Sequence, residues 1–475
     1  MKQSFSTRVA LFGVGLDTYW PQFEGLHERL LGYQATIAQQ LGTFQAEVFH
    51  FGLVDDPTEA RAVAQRIREA RVDIVVLYIS TYAVSHNVLP IAQAVDAPLV
   101  VLNAQPTARI DYKRLNSMGD RGKMTGEWLA YCQACVAPEI ANVMKRAGIT
   151  FRLLTGHLEE DYLWQELREY VCAAGLVSAF RQNRIGVMGH YYNGMLDVYA
   201  DLTRLAATTG CHFELIEFGA LKGTLTHESS SLTAKREEFA TRFDVSPACE
   251  EAELDRAAKT AVALDRLVAK NRLDALAYYF EGDSDPEALD LITSVIPGLT
   301  LLTAKNVPVA GECEVKNVLA MKIMDMLGAG GSFSEPYAID FEDEVVLWGH
   351  DGPAHVAIAE GSVGLVPVPV FHGKPGKGLS IQMSVKHGPV TLLSVCEGAQ
   401  GEVYLMAAEG ESVAGPTLQI GNTNSRYKFA CGARAFVNAW SNGAPAHHCA
   451  IGTGHHLGFL RKLADFWNIR LTEVG

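Results

Sequence analysis

Apolar positions in the first third of the chain form short runs separated by stretches with helical spacing. Four runs of strand length are RVALFGVG (8–15), AEVFHFGLV (46–54), VDIVVLYIST (72–81) and APLVVLN (97–103). Between the second and third runs, TEARAVAQRIREAR (58–71) repeats apolar residues at the spacing of an amphipathic helix. Continuous apolar strands that alternate with such helices predict a parallel, doubly wound α/β sheet.

A second alternation of the same kind begins near residue 184. RIGVMGHYYNG (184–194) and FELIEFGAL (213–221) indicate strands, and EEAELDRAAKTAVALDRLVAKN (250–271) indicates a long helix. ALAYYFEG (275–282) indicates a further strand. The pattern predicts a second parallel-sheet domain, which closes with a long amphipathic helix after Glu312.

The pattern changes after the Gly/Ser-rich segment at 328–336. Apolar and polar residues then alternate, and Gly-containing turns interrupt them over 379–410, as in antiparallel hairpins. A chain of 475 residues also exceeds what one hydrophobic core supports. We therefore predict an N-terminal Rossmann-like α/β domain (1–181), a central α/β domain (182–328) and a mostly antiparallel β-rich C-terminal domain (329–475).

Composition and charge narrow the possible functions. Hydrophobic residues make up 48% of the chain and charged residues 20%, which predicts a folded protein. The net charge of −14 without a basic block disfavours nucleic-acid binding. The apolar runs are shorter than a membrane helix, and the N-terminal run breaks at Gly13 and Gly15 without a cleavage site. We expect a cytoplasmic protein that binds a small neutral ligand or a metal.

The cysteines do not indicate a disulfide framework. There are nine of them, scattered along the chain, which suits a reducing compartment. Cys132 and Cys135 form a C-x-x-C motif inside a helical stretch (126–146) that has no second such motif. We interpret both as core thiols, with metal binding or redox chemistry as the alternatives.

Four places in the second half of the chain put ligands for hard metals at strand ends or in loops. They hold Glu312, Glu335 in GSFSEPY, His350 in LWGHDGP, and His447 with His448 in GAPAHHC. Carboxylates with imidazoles form a mixed site that favours Mn²⁺, Co²⁺ or Mg²⁺. Such a site can polarise a carbonyl and its neighbouring hydroxyl while a carboxylate moves a proton, which suits aldose–ketose interconversion.

No short motif joins these residues, so a purely structural role stays open for each of them. Taken singly, each glutamate is better interpreted as a surface or capping acid, and each histidine as a hydrogen-bonded structural residue.

The sequence around these residues resembles the L-arabinose isomerases, within the fucose/arabinose isomerase superfamily. VPVAGECEVKNVLAMKIMDML (307–327) is similar to the family's Gly-Glu followed by a Lys-bearing helix, and GSFSEPY to its Ser-Phe-x-Glu. LWGH is similar to its Gly-x-His, and PAHH to its Ala-His-His before the last helix. The four motifs occur in the family's order, so the resemblance implies a fucose isomerase-like fold.

The resemblance also implies a set of site residues. The metal ligands would be Glu312, Glu335, His350 and His448. Glu312 and Glu335 would also be the catalytic acid/base pair. The sugar pocket would be lined by Tyr19, Met195 and His447, the last of these a neighbour of the ligands and not a ligand itself.

Further expectations from the family concern the metal, the assembly and the reaction. Family members usually bind Mn²⁺ and form hexamers whose active sites take N-terminal-domain residues from a neighbouring subunit. The resemblance therefore implies a homo-oligomer that isomerises a sugar by proton transfer through a cis-enediol-like species, or by a hydride shift that uses the same residues.

The chain departs from the family in several places. Leu16 stands where the family has Gln, Asp120 falls near the position of a family His, and Cys313–Glu314 replaces Gly-Asp. The chain also ends at Gly475, before the family's longer tail. Lost hydroxyl-binding groups change the substrate more readily than the metal chemistry. Two alternatives follow: a metal-dependent epimerase or decarboxylase acting on another sugar or sugar acid, and a non-catalytic sugar-binding protein.

Overall fold

The computed structural model describes residues 3–280, 285–368 and 377–475. They divide into two compact units, an N-terminal unit of Phe5–Ser178 and a C-terminal unit built mainly from Ala179–Gly475. The division lies within a helix, close to the first predicted domain boundary at residue 181. The second predicted boundary, at residue 328, stays a prediction.

The N-terminal unit contains a five-stranded parallel sheet and seven helices. The strands are β1 (Thr7–Val14), β2 (Ala46–Val54), β3 (Ile74–Ile79), β4 (Leu99–Gln105) and β5 (Phe151–His157). The helices are α1 (Leu26–Gly42), α2 (Pro57–Ala70), α3 (Leu89–Ala94), α4 (Tyr112–Ser117), α5 (Arg121–Leu129), α6 (Gln133–Arg146) and α7 (Asp161–Phe180). The order β2-β1-β3-β4-β5, parallel throughout, confirms the predicted α/β architecture.

Local sequence explains why these elements form. All six residues of β3 are buried, as expected for a parallel strand covered on both faces. Helix α2 begins at Pro57, and the Asp56 side chain caps it by accepting hydrogen bonds from the backbone N–H groups of Thr58 and Glu59. It ends where Arg71 adopts a left-handed conformation.

A second parallel sheet lies in the C-terminal unit. The strands of this part are β6 (Arg184–Gly189), β7 (His212–Ile216), β8 (Asp244–Val245), β9 (Ala275–Tyr279) and β10 (Val309–Ala310). The helices are α8 (Leu202–Thr209), α9 (Gly219–Lys222), α10 (Ser229–Arg242), α11 (Glu251–Asn271), α12 (Pro286–Ile292), α13 (Ile296–Ala304) and α14 (Val315–Met326). The sheet has the order β10-β9-β6-β7 and is parallel, as predicted.

Three strand predictions in this region were too long. The run at 184–194 is a strand only to Gly189. The run at 213–221 is a strand only to Ile216, after which the chain turns into α9. The run at 275–282 is a strand to Tyr279, and its last two residues lie outside the described part of the chain.

The rest of the C-terminal unit is mostly antiparallel. Its strands are β11 (Gly330–Asp340), β12 (Val345–His350), β13 (Gly364–Val368), β14 (Gly378–Gln382), β15 (Gly388–Glu397), β16 (Val403–Val413), β17 (Thr423–Lys428), β18 (Cys449–Thr453) and β19 (Arg470–Val474). Its helices are α15 (Ala433–Asn442) and α16 (Leu457–Trp467). One sheet has the order β15-β18-β11-β12-β17-β16-β19 and is barrel-like, because β15 also pairs with β16. Strands β14, β13 and β8 form a smaller sheet.

Helix α14 is buried at every one of its twelve positions, so the predicted amphipathic helix is instead a central one. It packs against β11, β15 and β18. Its buried charges have partners: Lys316 Nζ donates to the carbonyls of Asp197 at 2.5 Å and Tyr199 at 3.0 Å, and Lys322 Nζ lies 3.2 Å from Asp325 Oδ2. A helix enclosed in this way holds the residues just before it in a defined position.

Among the described residues, no single helix has both the length and the apolar composition to span a membrane. The bent pair α12 and α13 meets those two criteria only when the helices are taken together, at 44° to each other.

Two glycines allow close backbone approaches beside α14 and β12. A Cβ on Gly331, whose φ is +102°, would lie 2.8 Å from the Met321 carbonyl oxygen of α14. A Cβ on Gly349 would lie 2.2 Å from the Thr423 carbonyl oxygen of β17. Both glycines therefore let the sheet close against its neighbours.

Replacing Gly331 by Ala should destabilise the protein by about 1–3 kcal/mol, because the new methyl group meets backbone at a left-handed position. Thermal unfolding followed by circular dichroism measures this change. Gly361→Ala is the matched control, since its φ is +75° and no atom lies within 4 Å of the new Cβ. Equal melting temperatures for the two variants would contradict the proposed contact.

Candidate metal centre

Glu312 occupies a strained junction between β10 and α14. Glu312 and Cys313 have φ values of +57° and +58°, a left-handed conformation that costs a non-glycine residue about 1–3 kcal/mol. Hydrogen bonds hold the junction: Cys313 N–H donates to the Tyr278 carbonyl at 2.9 Å, and Tyr192 N–H donates to the Glu312 carbonyl at 3.3 Å. Backbone strain of this kind is concentrated at functional sites.

Three adjacent strands position the other candidate ligands. Glu335 lies on β11 opposite Gly349 of β12, and His350 is the next residue of β12. On the other side, Ser334 of β11 pairs with Cys449 of β18, and His448 immediately precedes that cysteine. The antiparallel register therefore brings Glu335, His350 and His448 to one place.

The four predicted ligands converge there. His448 Nε2 lies 3.3 Å from Glu312 Oε2 and 3.9 Å from Glu335 Oε2, and His350 Nε2 lies 3.9 Å from Glu312 Oε1. The ligand atoms of Glu335, His350 and His448 all lie within 4.8 Å of one another, and so do those of Glu312, His447 and His448. The cluster thus offers two carboxylates and two or three imidazoles to a single cation.

Two atoms in this cluster are buried without any hydrogen-bond partner, Glu312 Oε2 and His448 Nε2. Such an atom costs about 1–3 kcal/mol when nothing compensates it. The two atoms face each other at 3.3 Å. Neighbouring ligands with bonds of about 2.1 Å to one divalent ion lie roughly 3 Å apart. The residues present therefore fit a divalent cation.

His448 has the surroundings of a metal ligand. Its side chain is 0% exposed, and its Nδ1 lies 2.5 Å from Glu314 Oε2. Burial, together with the charge of His447, lowers the pKa of His448 well below its usual value. Burial raises the pKa of Glu314 to about 8. A neutral imidazole backed by a carboxyl group is a common arrangement behind bound metals.

His447 is held differently, by Asp197. Its Nδ1 lies 2.6 Å from Asp197 Oδ2, and its backbone N–H donates to the same oxygen at 3.0 Å. Burial alone would lower the pKa of His447, but Asp197 raises it above the usual value. A protonated imidazole donates hydrogen bonds and does not bind a metal. Its Nε2 lies 3.8 Å from Glu312 and 3.6 Å from Glu335, beside both carboxylates.

The carboxyl group of Glu312 is also perturbed. Burial raises its pKa to about 7, with an opposing contribution from His447 and a further increase from Glu335. A group with this pKa can both accept and release a proton near neutral pH.

Phe333 forms an apolar wall of the site. Its ring centroid lies 4.3 Å from the centroids of both His350 and His448. The wall orients the two imidazoles and shields them from water, which strengthens electrostatic interactions inside the site.

A cavity of about 300 Å³, large enough for one monosaccharide, adjoins the cluster. Glu312, Glu335 and His350 line it, and so does Met195, for which the resemblance implies a place in the sugar pocket. Its other lining residues are mainly aromatic or apolar: Tyr192, Tyr278, Tyr279, Ile292, Ile296, Tyr337 and Val368. Its described lining contains Asp351 in addition but no Lys or Arg, so its field disfavours anions.

The N-terminal candidates lie in the other unit. Tyr19 ends a short 3-10 turn (Asp17–Tyr19) and contacts Phe23 edge to face at 5.8 Å. Leu16 precedes this turn, and Asp120 caps α5 by accepting a hydrogen bond from Lys123 N–H. The role of Tyr19 in a sugar pocket stays a prediction.

Sequence reasoning missed two residues of the centre, Glu314 and Asp197. Glu314 had a weak signal, since it lies two positions after Glu312 at the same junction. Asp197 had none, because it lies in a short turn (Leu196–Val198) 250 positions before its partner His447.

Three acidic residues of the N-terminal unit, Asp55, Asp56 and Glu59, also have carboxylate oxygens within 4.8 Å of one another. Two of them have structural roles. Asp55 accepts a hydrogen bond from the Trp20 indole at 2.6 Å, and Asp56 caps α2.

No protein-family profile matches the sequence, and no curated protein matches it either. The likeness to the arabinose isomerases therefore consists of the four short motifs and their order.

His448→Ala should weaken binding of a divalent cation, with Mn²⁺ as the probe, by more than 100-fold, because it removes a candidate ligand. His447→Ala should weaken it by less than 10-fold, because Asp197 engages that imidazole. Glu314→Gln should weaken cation binding by about 10- to 100-fold, because Glu314 holds the His448 imidazole. Isothermal titration calorimetry with Mn²⁺ measures the dissociation constant of all three variants. Equal losses at the two histidines would show that the wrong one had been assigned as ligand.

Asp197→Asn should lower the pKa of His447 in the metal-free protein, because burial then acts without the opposing carboxylate. The imidazolium form would be lost at a lower pH than in the unsubstituted protein. Titration of labelled histidines by NMR measures the midpoint. The midpoint of His50, in the N-terminal unit, serves as the control and should stay the same, and an unchanged His447 midpoint would contradict the pairing.

Proposed function

We propose that this protein is a divalent-metal-dependent aldose–ketose isomerase of the L-arabinose isomerase type. One observation carries the proposal: Glu312, Glu335, His350 and His448 converge beside a cavity of monosaccharide size. The order of the four motifs in the sequence supports the same assignment.

The roles of the residues follow from their positions. Mn²⁺, or another divalent ion such as Co²⁺ or Mg²⁺, held by these four residues would polarise the sugar carbonyl and the neighbouring hydroxyl. Glu312, with its pKa of about 7, takes the proton from the hydroxyl-bearing carbon and returns it to the adjacent carbon. Glu335, which lines the same cavity, transfers the hydroxyl proton from one sugar oxygen to the other. His447 donates a hydrogen bond to the oxygen on which charge develops.

This sequence of proton transfers passes through a cis-enediol-like species. A hydride shift between the same two carbons is the alternative, and it would use the same residues. Solvent exchange at the transferred hydrogen separates the two, because only the proton-transfer route exchanges it with water.

The charge of the cavity favours a neutral sugar over a sugar acid. Three carboxylates line it, and its described lining contains no Lys or Arg to bind an acid group. An isomerase acting on an uncharged aldose therefore fits better than a decarboxylase acting on a sugar acid.

The assembly and location are part of the same proposal. By the resemblance, the protein forms a homo-oligomer, a hexamer in the family, in which Tyr19 of one subunit completes the sugar pocket of another. All nine cysteines are free, which suits the reducing cytoplasm.

With Mn²⁺ present, we expect at least one aldose from a panel of tetroses, pentoses and hexoses to be converted to its ketose. EDTA should abolish this turnover and Mn²⁺ should restore it. Product identification by chromatography and NMR measures the outcome. Sugar binding that persists in EDTA, without turnover of any sugar, would point to a binding protein. An epimer of the supplied sugar as the product would point to an epimerase.

Glu312→Gln and Glu335→Gln should each reduce kcat by about 10²- to 10⁴-fold, because each removes an acid/base group. Glu411→Gln is the matched control, since Glu411 is an exposed residue of β16 outside the cluster. Circular dichroism checks that all three variants fold. Near-normal rates in either site variant would reject the acid/base assignment.

A further inference from the structure

The C-x-x-C motif lies at the start of α6, in the N-terminal unit. Cys132 is the N-cap residue of this helix, and Cys135 lies in its first turn. Cys132 is buried, as predicted for a core thiol, but Cys135 is exposed, so that prediction was wrong for the second cysteine. One thiol of the pair is therefore accessible from solvent.

The Cys132 thiol is perturbed by its burial and by the neighbouring Cys135 thiol. Burial, together with the neighbouring Cys135 thiol, raises the pKa of Cys132 to about 11. The Tyr82 backbone N–H donates a hydrogen bond to the Cys132 sulfur, which stabilises negative charge there. Cys132 also belongs to a cluster of buried apolar residues that packs against Tyr19 and Tyr131.

The geometry suits a disulfide better than a metal. Among the described residues, no cluster of three possible metal ligands includes either cysteine. Residues three apart on a helix have Cβ atoms about 5–6 Å apart, and a disulfide needs about 3.8 Å. Cys132, with φ −94° and ψ +31°, lies outside the helical backbone, so a modest rotation can close that gap.

We propose that Cys132 and Cys135 form a reversible dithiol–disulfide site that reacts with low-molecular-weight disulfides such as oxidised glutathione. The exposed Cys135 thiolate attacks one glutathione sulfur, which forms a mixed disulfide and releases one glutathione thiolate. Cys132 then loses its proton to water and attacks the Cys135 sulfur. This step forms the Cys132–Cys135 bond and releases the second glutathione, so the protein loses two electrons and two protons, and the glutathione disulfide is reduced.

Exposure decides the order of these steps. The buried Cys132 cannot meet a glutathione molecule first, whereas Cys135 can. Because the pKa of Cys132 is high, the second step should accelerate as the pH rises. Thioredoxin-like proteins use the same motif at a helix start, although here the second cysteine and not the first is exposed.

The test compares two exposed cysteines in the same unsubstituted protein. After incubation with oxidised glutathione and blocking of free thiols, peptide mass spectrometry is used to identify the adducts. Cys431 is the internal control, since it is exposed but has no second cysteine near it in the sequence. We expect a stable glutathione adduct at Cys431, and at Cys135 at least about ten-fold less adduct together with a Cys132–Cys135 disulfide.

A variant separates the two steps. Cys132→Ser should accumulate the glutathione adduct at Cys135 to the level seen at Cys431, and dithiothreitol should remove it. A stable adduct at Cys135 of the unsubstituted protein, or no reaction there while Cys431 reacts, would overturn the proposal. None of these measurements depends on sugar turnover.

Discussion

The candidate centre depends on one interaction, the approach at 3.3 Å of two buried atoms that have no hydrogen-bond partner, Glu312 Oε2 and His448 Nε2. Both atoms carry lone pairs when Glu312 is ionised and His448 is neutral, so they repel each other unless a proton or a cation lies between them. The raised pKa of Glu312 and the lowered pKa of His448 are two consequences of the same desolvation. A divalent ion would compensate both atoms at once.

Two carboxyl–imidazole pairs give the neighbouring histidines of the centre different properties. Glu314 backs His448 in full burial, whereas Asp197 backs the half-exposed His447. The buried imidazole has a lowered pKa, which favours the neutral form that can donate a lone pair, and the other has a raised pKa, which favours the form that donates protons. Adjacent histidines in the sequence thus acquire opposite properties from the residues behind them.

The rigidity of the centre comes from α14 and the barrel-like sheet. A helix buried at every position cannot shift without opening the core, and it begins immediately after the strained Glu312–Cys313 junction. Because Gly331 of β11 packs closely against this helix, α14 also holds β11 and its residue Glu335 in place. The carboxyl groups of Glu312 and Glu335 are therefore fixed from two sides, as the proposed acid/base role requires.

Periodicity in the sequence determined much of the architecture. The run at 46–54 coincides with β2, the helix at 250–271 with α11, and the alternation over 379–410 with the β15–β16 hairpin. Such patterns report which side of an element is buried. Residue types at strand ends and in loops indicated candidate ligands, and the resemblance reduced them to Glu312, Glu335, His350 and His448. Only the tertiary structure brought Asp197 to His447 and Glu314 to His448, and it exposed Cys135 while burying Cys132. These contacts join residues far apart in the chain or depend on which neighbours cover a turn, and no local pattern encodes either.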